Sequence, residues 1–179
     1  GYEFSTLRPR GAYVSGAGAY TSGPLSFMDI FDKMCFTVSS AGGRRGAQMG
    51  TFDISHPDVV DFIRAKRENG RLRQFNLSLL VTEEFMRAVA QDEEWPLSFP
   101  ISEKERNPDG RGIDDDEDVI WRHFPQTKGY VCDAEGQVAC RVYRKVKARK
   151  LWNVIMISTY DFAEPGFILI DKVNEMNNN

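Results

Sequence analysis

The sequence has little of what marks a metal-built, disulfide-stapled or membrane-embedded protein. It holds three cysteines and two histidines in 179 residues. No CxxC pair and no clustered Cys/His set occurs among them, which argues against a zinc site. Cys35 falls in a helical pattern, while Cys132 and Cys140 flank Asp133-Ala134-Glu135-Gly136, a hairpin-turn signal. If Asp133 pairs with Gln137 across that turn, Cys132 faces Val138 and Cys140 faces Tyr130, so the two thiols are out of register for a cross-strand disulfide. Reduced, structural cysteines are expected. No apolar run approaches the roughly 18 residues of a membrane span, and no charged-apolar-small leader opens the chain. A cytoplasmic chain without membrane contact is the expectation. The net charge of -3 argues against a dedicated nucleic-acid binder, which is ordinarily basic overall.

Hydrophobic residues make up 41% of the chain and charged residues 27%, enough for one globular domain with a real core. The chain opens on Gly1 without a start methionine and closes on Asn177-Asn178-Asn179 directly after a strand and helix start, so a segment of something longer is expected.

The most informative stretch is Ser39 to Gly50, where Gly42, Gly43 and Gly46 bracket Arg44 and Arg45. Glycines let a backbone approach a ligand closely, and guanidiniums offer planar, permanently charged forks for phosphate or a base edge. Between Leu7 and Gly50 five basic residues (Arg8, Arg10, Lys33, Arg44, Arg45) face two acidic ones, Asp29 and Asp32, so the region is locally positive. Two readings stay open: an anion-contacting loop, or a plain helix-to-strand connection in which Gly42 and Gly43 only close a helix.

Helices and strands alternate along the chain. Ser22-Gly23-Pro24 starts a helix running from about Leu25 to Ser40, with Phe27, Ile30, Phe31, Met34 and Val38 on one stripe. Gln48 to Ile54 reads as a strand; Ser55-His56-Pro57-Asp58 then caps a helix, which makes His56 a capping residue instead of a catalyst. That helix buries Val59, Phe62 and Ile63 and ends near Gly70. Phe75 to Val81 is apolar enough for a strand covered on both faces. Its Asn76 and Ser78 share one face and fit either the polar inside of a barrel or pocket, or solvated positions on an edge strand. Thr82 caps a helix with Phe85, Met86 and Val89 buried, and Trp95 to Phe99 is a short strand.

From Ser102 to Asp118 eight acidic residues face three basic ones, and residues 102–140 are read as a surface insertion. Arg141, Arg144, Lys145, Lys147, Arg149 and Lys150 read as the exposed face of a helix whose core side includes Leu151, Val154 and Ile155. Thr159 to Gly166 breaks that helix, and Phe167 to Ile170 is a strand. The whole predicts an α/β fold with a mostly parallel sheet.

Taken in order, Leu7-Arg8-Pro9-Arg10-Gly11-Ala12, Ser22 to Met28, Ala41 to Met49, His56-Pro57-Asp58, Phe75-Asn76-Leu77-Ser78 and Ala163 to Ile168 strongly resemble the adenosylcobalamin-dependent (class II) ribonucleotide reductases. The resemblance covers essentially the whole chain. It implies a fragment of one catalytic domain, residues 1–179: part of a ten-stranded α/β barrel, a mostly parallel half-barrel with flanking helices. It also implies reduction of ribonucleoside diphosphates to 2'-deoxyribonucleotides through a cobalamin-initiated thiyl radical, with adenosylcobalamin as cofactor and a thioredoxin-like protein as reductant.

The family's thiyl cysteine lies in an Asn-Pro-Cys-x-Glu motif that this chain lacks, and Cys35, Cys132 and Cys140 match none of the family's redox cysteines. No catalytic residue or cobalamin contact is therefore assigned, and the fragment alone is expected to be inactive. The resemblance makes Ala41, Gly42, Gly43, Arg44, Arg45 and Gly46 a specificity loop between effector and active sites. Arg8, Arg10, Ser15, Gly16 and Gly18 become contacts for a deoxynucleoside triphosphate effector, and the Leu25–Ser40 helix a homodimer contact. The alternatives are a fragment of the diiron-dependent class of the same enzyme, a non-catalytic nucleotide-binding module, and a purely structural α/β domain.

Overall fold

The computed structural model describes residues 2–3, 5–10, 13–14, 19–20, 23–26, 28–29, 33, 48–65, 75–103, 118–124, 127–162 and 166–169. They form a mixed α/β structure. A four-stranded parallel sheet has the order β1 (Tyr2–Glu3), β4 (Gln48–Asp53), β5 (Phe75–Val81), β9 (Gly166–Leu169). A short antiparallel pair joins β2 (Tyr13–Val14) to β3 (Ala19–Tyr20). A second sheet, antiparallel throughout, has the order β6 (Glu94–Pro100), β8 (Val138–Lys147), β7 (Val119–Arg122).

Three further helices are described, α1 (Val59–Ala65), α2 (Glu83–Ala90) and α3 (Ala148–Phe162); the expected end of α1 near Gly70 lies outside the described residues. Residues 24–26, 28–29 and 33 are helical, in keeping with the start of the expected Leu25–Ser40 helix; the rest of that helix lies outside the described residues. The helix α2 opens as its sequence dictates. Thr82 Oγ1 accepts the Phe85 N–H at 3.1 Å, and Glu83 and Glu84 occupy the positive first turn. At its other end Arg149 donates to the Val89 and Ala90 carbonyls at 3.1 Å each, supplying a cation where the helix dipole is negative.

One large core lies between the parallel sheet and its helices. Phe52, Ile54, Leu77, Leu79 and Val81 come from β4, its following turn and β5; Val59, Phe62 and Ile63 from α1; Phe85 and Ala88 from α2; Leu151 and Ile155 from α3. Phe52 stacks on Phe62 with ring centroids 4.5 Å apart, and Phe85 meets Trp95 edge-on at 5.2 Å. Each such ring contributes about 1.5–3 kcal/mol by burial alone.

Four expectations need correcting. The structure is not mostly parallel, because Glu94 to Lys147 supplies an antiparallel sheet. The cationic run Arg141 to Lys147 belongs to β8 and not to a helix face; only Arg149 and Lys150 are helical. Pairing decides this, since Arg141 to Lys147 lie in antiparallel register with Phe99 to Glu94 of β6. Thr159 to Phe162 continue α3 instead of breaking it. Finally, β5 is covered on one face only: Leu77, Leu79 and Val81 are buried, whereas Asn76 is exposed and Ser78 and Leu80 are half-buried. Because β5 lies between β4 and β9, the edge-strand reading of Asn76 and Ser78 falls away.

The Asp133–Gly136 turn does form. The Asp133 N–H donates to the Gln137 carbonyl at 3.0 Å, and Cys132 bridges Val138. Cys132 and Cys140 are both free thiols, one exposed and one buried.

Candidate functional site

In the parallel sheet Tyr2 lies beside Gly50 and Glu3 beside Thr51. The segments that follow β1 and β4 therefore leave the sheet at the same end, the C-terminal end of its strands, where α/β folds place their ligands. The first is Ser5–Arg10, carrying two of the predicted effector residues, Arg8 and Arg10. The second is the turn Asp53–Asp58.

Three hydrogen bonds tie one to the other. The Asp53 N–H donates to Ser5 Oγ at 2.7 Å. His56 Nε2 donates to the Leu7 carbonyl at 2.8 Å, and Asp58 Oδ2 accepts the Arg10 N–H at 2.8 Å. The tautomer of His56 follows from its neighbours: Nδ1 accepts the Asp58 N–H at 3.0 Å, so the proton sits on Nε2. His56 is 1% exposed, with Phe52 at 4.5 Å and Phe99 at 5.6 Å between ring centroids. Burial holds its pKa below the ordinary 6.5, outweighing the Leu7 carbonyl and the charges of Asp58 and Asp53. His56 thus holds the turn just ahead of α1 through the Asp58 N–H, and makes a contact to Leu7 that sequence reasoning missed.

Leu7 O and Arg10 N are both anchored, so Arg8 and Pro9 sit on a short bridge held at its two ends. Pro9 is buried, Arg8 half-buried and Arg10 exposed. Gly23 closes against the same bridge. Its φ is +89°, and a Cβ there would come within 3.0 to 3.1 Å of the Arg10 backbone, so both conformation and space require glycine.

The turn is held equally firmly from the antiparallel sheet. Arg122 of β7 donates from Nη1 to Asp53 Oδ2 at 3.1 Å, from Nε to Ser98 Oγ at 3.1 Å and from Nη2 to the Ser98 carbonyl at 3.1 Å. Burial opposes its charge, but Asp53 outweighs that and holds the guanidinium protonated more firmly than a free arginine. Ser55 O accepts the Ser98 N–H at 2.8 Å, and Arg144 of β8 donates to the Pro57 carbonyl at 3.2 Å. Burial pushes the nearby Cys140 thiol up, away from the reactive thiolate form.

Of the residues singled out from sequence, Arg8 and Arg10 come together on this bridge. Ser15, Gly16 and Gly18 join β2 to β3 and, like Ala41, Gly42, Gly43, Arg44, Arg45 and Gly46, lie outside the described residues. Asp53, Ser98 and Arg122 were not foreseen; the 69 residues between Asp53 and Arg122 leave no local signal. Among the described residues no group of three or more His, Cys, Asp or Glu side chains could hold a metal ion. The arrangement presents guanidiniums on a fixed backbone, which suits anion binding more than bond making.

A family model described as the ribonucleotide reductase barrel domain matches residues 1–179. The chain belongs to the ribonucleotide reductase family. Over 99% of its length it is 34% identical to a Mycobacterium tuberculosis protein and 31% identical to a Thermoplasma acidophilum protein, each named vitamin B12-dependent ribonucleoside-diphosphate reductase. It covers 20% and 18% of those proteins, so the chain spans about a fifth of the curated relatives it matches. A Synechocystis ribonucleoside-diphosphate reductase subunit alpha is 27% identical over the whole chain and is covered to 23%. The resemblance seen in the sequence therefore holds at the level of the reductase family, with the B12-dependent class suggested by the higher identities.

Proposed function

We propose that this chain is part of the catalytic subunit of an adenosylcobalamin-dependent ribonucleoside-diphosphate reductase. It supplies part of a ten-stranded barrel and carries the segments that read a deoxynucleotide effector and adjust substrate choice. The observation that carries this reading is the gap between 31–34% identity to relatives named B12-dependent and 27% to the Synechocystis subunit alpha, joined to a cationic bridge fixed at the C-terminal end of the parallel sheet.

In this reading the open face of the sheet looks into the barrel. The register sets Thr51 beside Ser78, with Asn76 two residues before Ser78 on the same face, so that face offers polar groups to a ribonucleotide. Arg8 and Arg10 take the effector's phosphates, and the Ala41–Gly46 loop relays which base is bound.

Adenosylcobalamin, when bound to the whole subunit, would supply the radical that starts the reaction. The described residues do not fit that group. Both ring nitrogens of His56 are engaged, so it has no lone pair for cobalt, and Cys140 is buried with its pKa raised. Its site and the redox cysteines are assigned to the rest of the subunit, as are the thioredoxin-like reductant and the homodimer partner.

The test is to assay the full-length reductase carrying this segment for reduction of ribonucleoside diphosphates, with adenosylcobalamin and without it. Turnover that requires the cofactor is expected; turnover sustained by an iron-loaded partner subunit without cobalamin would overturn the class assignment.

A further inference from the structure

We propose that the Asp53–Asp58 turn holds the Arg8–Arg10 bridge in a phosphate-ready form, with His56 and Asp58 as positioning residues for the effector. This rests on the effector reading of Arg8 and Arg10 given above.

The inference follows from where the anchors fall. A cationic segment that is free in solution must be ordered when it meets a phosphate, and that ordering subtracts from affinity. Here the backbone on either side of Arg8 and Pro9 is fixed beforehand. Leu7 O is held by His56 Nε2 at 2.8 Å and Arg10 N by Asp58 Oδ2 at 2.8 Å. These two holders are themselves joined, because the Asp58 N–H donates to His56 Nδ1 at 3.0 Å. Gly23 closes over Arg10 from another direction. The turn cannot drift, since Arg122, Ser98 and Arg144 grip it from the antiparallel sheet. The guanidiniums of Arg8 and Arg10 thus start from a common, preset backbone.

The experiment measures equilibrium binding of each of the four deoxynucleoside triphosphates to the full-length reductase carrying this segment, with effector-free thermal unfolding as the folding control. The double substitution R8A/R10A tests the underlying reading and should abolish tight binding of the effector that the wild type prefers. His56→Asn removes the donor to Leu7, and Asp58→Ala removes the acceptor for Arg10; each should weaken binding about five- to tenfold, the worth of one hydrogen bond that orders a segment. His56→Gln keeps a donor at the Nε2 position and Asp58→Asn keeps an oxygen acceptor, so both should stay within about twofold of wild type.

Loss of binding in R8A/R10A with wild-type binding in His56→Asn and Asp58→Ala would sink the positioning role and leave the effector reading standing. Equal losses in His56→Asn and His56→Gln would mean that the Leu7 hydrogen bond is not what His56 contributes, and would overturn its positioning role. Wild-type binding in R8A/R10A would overturn both ideas. If His56→Asn does not fold, the solvent-exposed Asp58 contact still decides the outcome through Asp58→Ala against Asp58→Asn.

Discussion

Two turns in this molecule are built on the same local chemistry and used in opposite ways. In the Asp53–Asp58 turn, Asp53 Oδ1 accepts the Ser55 N–H at 2.7 Å. In the Asp133–Gly136 turn, Asp133 Oδ1 accepts the N–H groups of Glu135 and Gln137 at 3.0 and 2.8 Å. Each aspartate satisfies backbone donors a few residues on, the usual way such a residue makes a turn. The second turn stops there and stays at the surface. The first is also gripped by Arg122, Ser98, Arg144 and Trp95, and itself grips Ser5, Leu7 and Arg10. Local sequence makes a turn; only tertiary partners make it a positioning device.

The sharpest way to break that comparison is Asp53→Ala. It leaves the Arg122 guanidinium, whose side chain is only 18% exposed, without its carboxylate. Removing one partner of a largely buried pair costs about 3 kcal/mol. The same change at Asp133 should cost about 1 kcal/mol, a turn hydrogen bond or two in water. Equal losses in urea unfolding would mean that Arg122 contributes nothing through Asp53.

A second pair separates conformation from crowding. Gly23 and Gly136 have φ of +89° and +80°, but a Cβ on Gly23 meets the Arg10 backbone at 3.0 Å while one on Gly136 has nothing within 4 Å. Gly136→Ala should cost about 1 kcal/mol from backbone strain alone. Gly23→Ala should cost roughly twice that, because overpacking against backbone adds to the strain. Thermal unfolding of the two variants gives the order directly.

A smaller effect comes from pH. The folded-state pKa of His56 is depressed below 6.5, so below 6.5 the unfolded chain takes up a proton that the folded chain resists. The stability contributed by neutral His56 is complete above that value and is lost as pH falls through the folded pKa. His56→Gln should flatten the part of the stability profile just below pH 6.5, and a profile identical to wild type would contradict this.

The smallest effect on stability is expected from Arg45→Ala, in the specificity loop assigned by resemblance. In the full-length reductase it should weaken the link between effector identity and substrate choice more than overall reduction. Unchanged selectivity for every effector and substrate pairing would remove Arg45 from that role.

The sequence made some of this plain and hid the rest for physical reasons. Thr82 as a cap, His56 before a helix, Phe62 as core and the Asp133 turn were readable because each depends on neighbours a few residues away. The strand β8 was misread because six cations in ten residues fit a helix face as well as a strand face, and only pairing with β6 and β7 separates them. Arg122 with Asp53, and His56 with Leu7, join residues far apart in the chain, and no spacing rule foretells such contacts. Arg8 and Arg10 were singled out by charge and by family resemblance; the bridge that fixes their backbone was not foreseeable from either.

The most direct measurement is the structure of the full-length reductase carrying this segment with its preferred deoxynucleoside triphosphate bound. Effector phosphate oxygens within hydrogen-bonding distance of Arg8 or Arg10, with the Leu7–His56 and Arg10–Asp58 contacts intact, is the expected result. An effector bound elsewhere, with both arginines turned to bulk solvent, would contradict it.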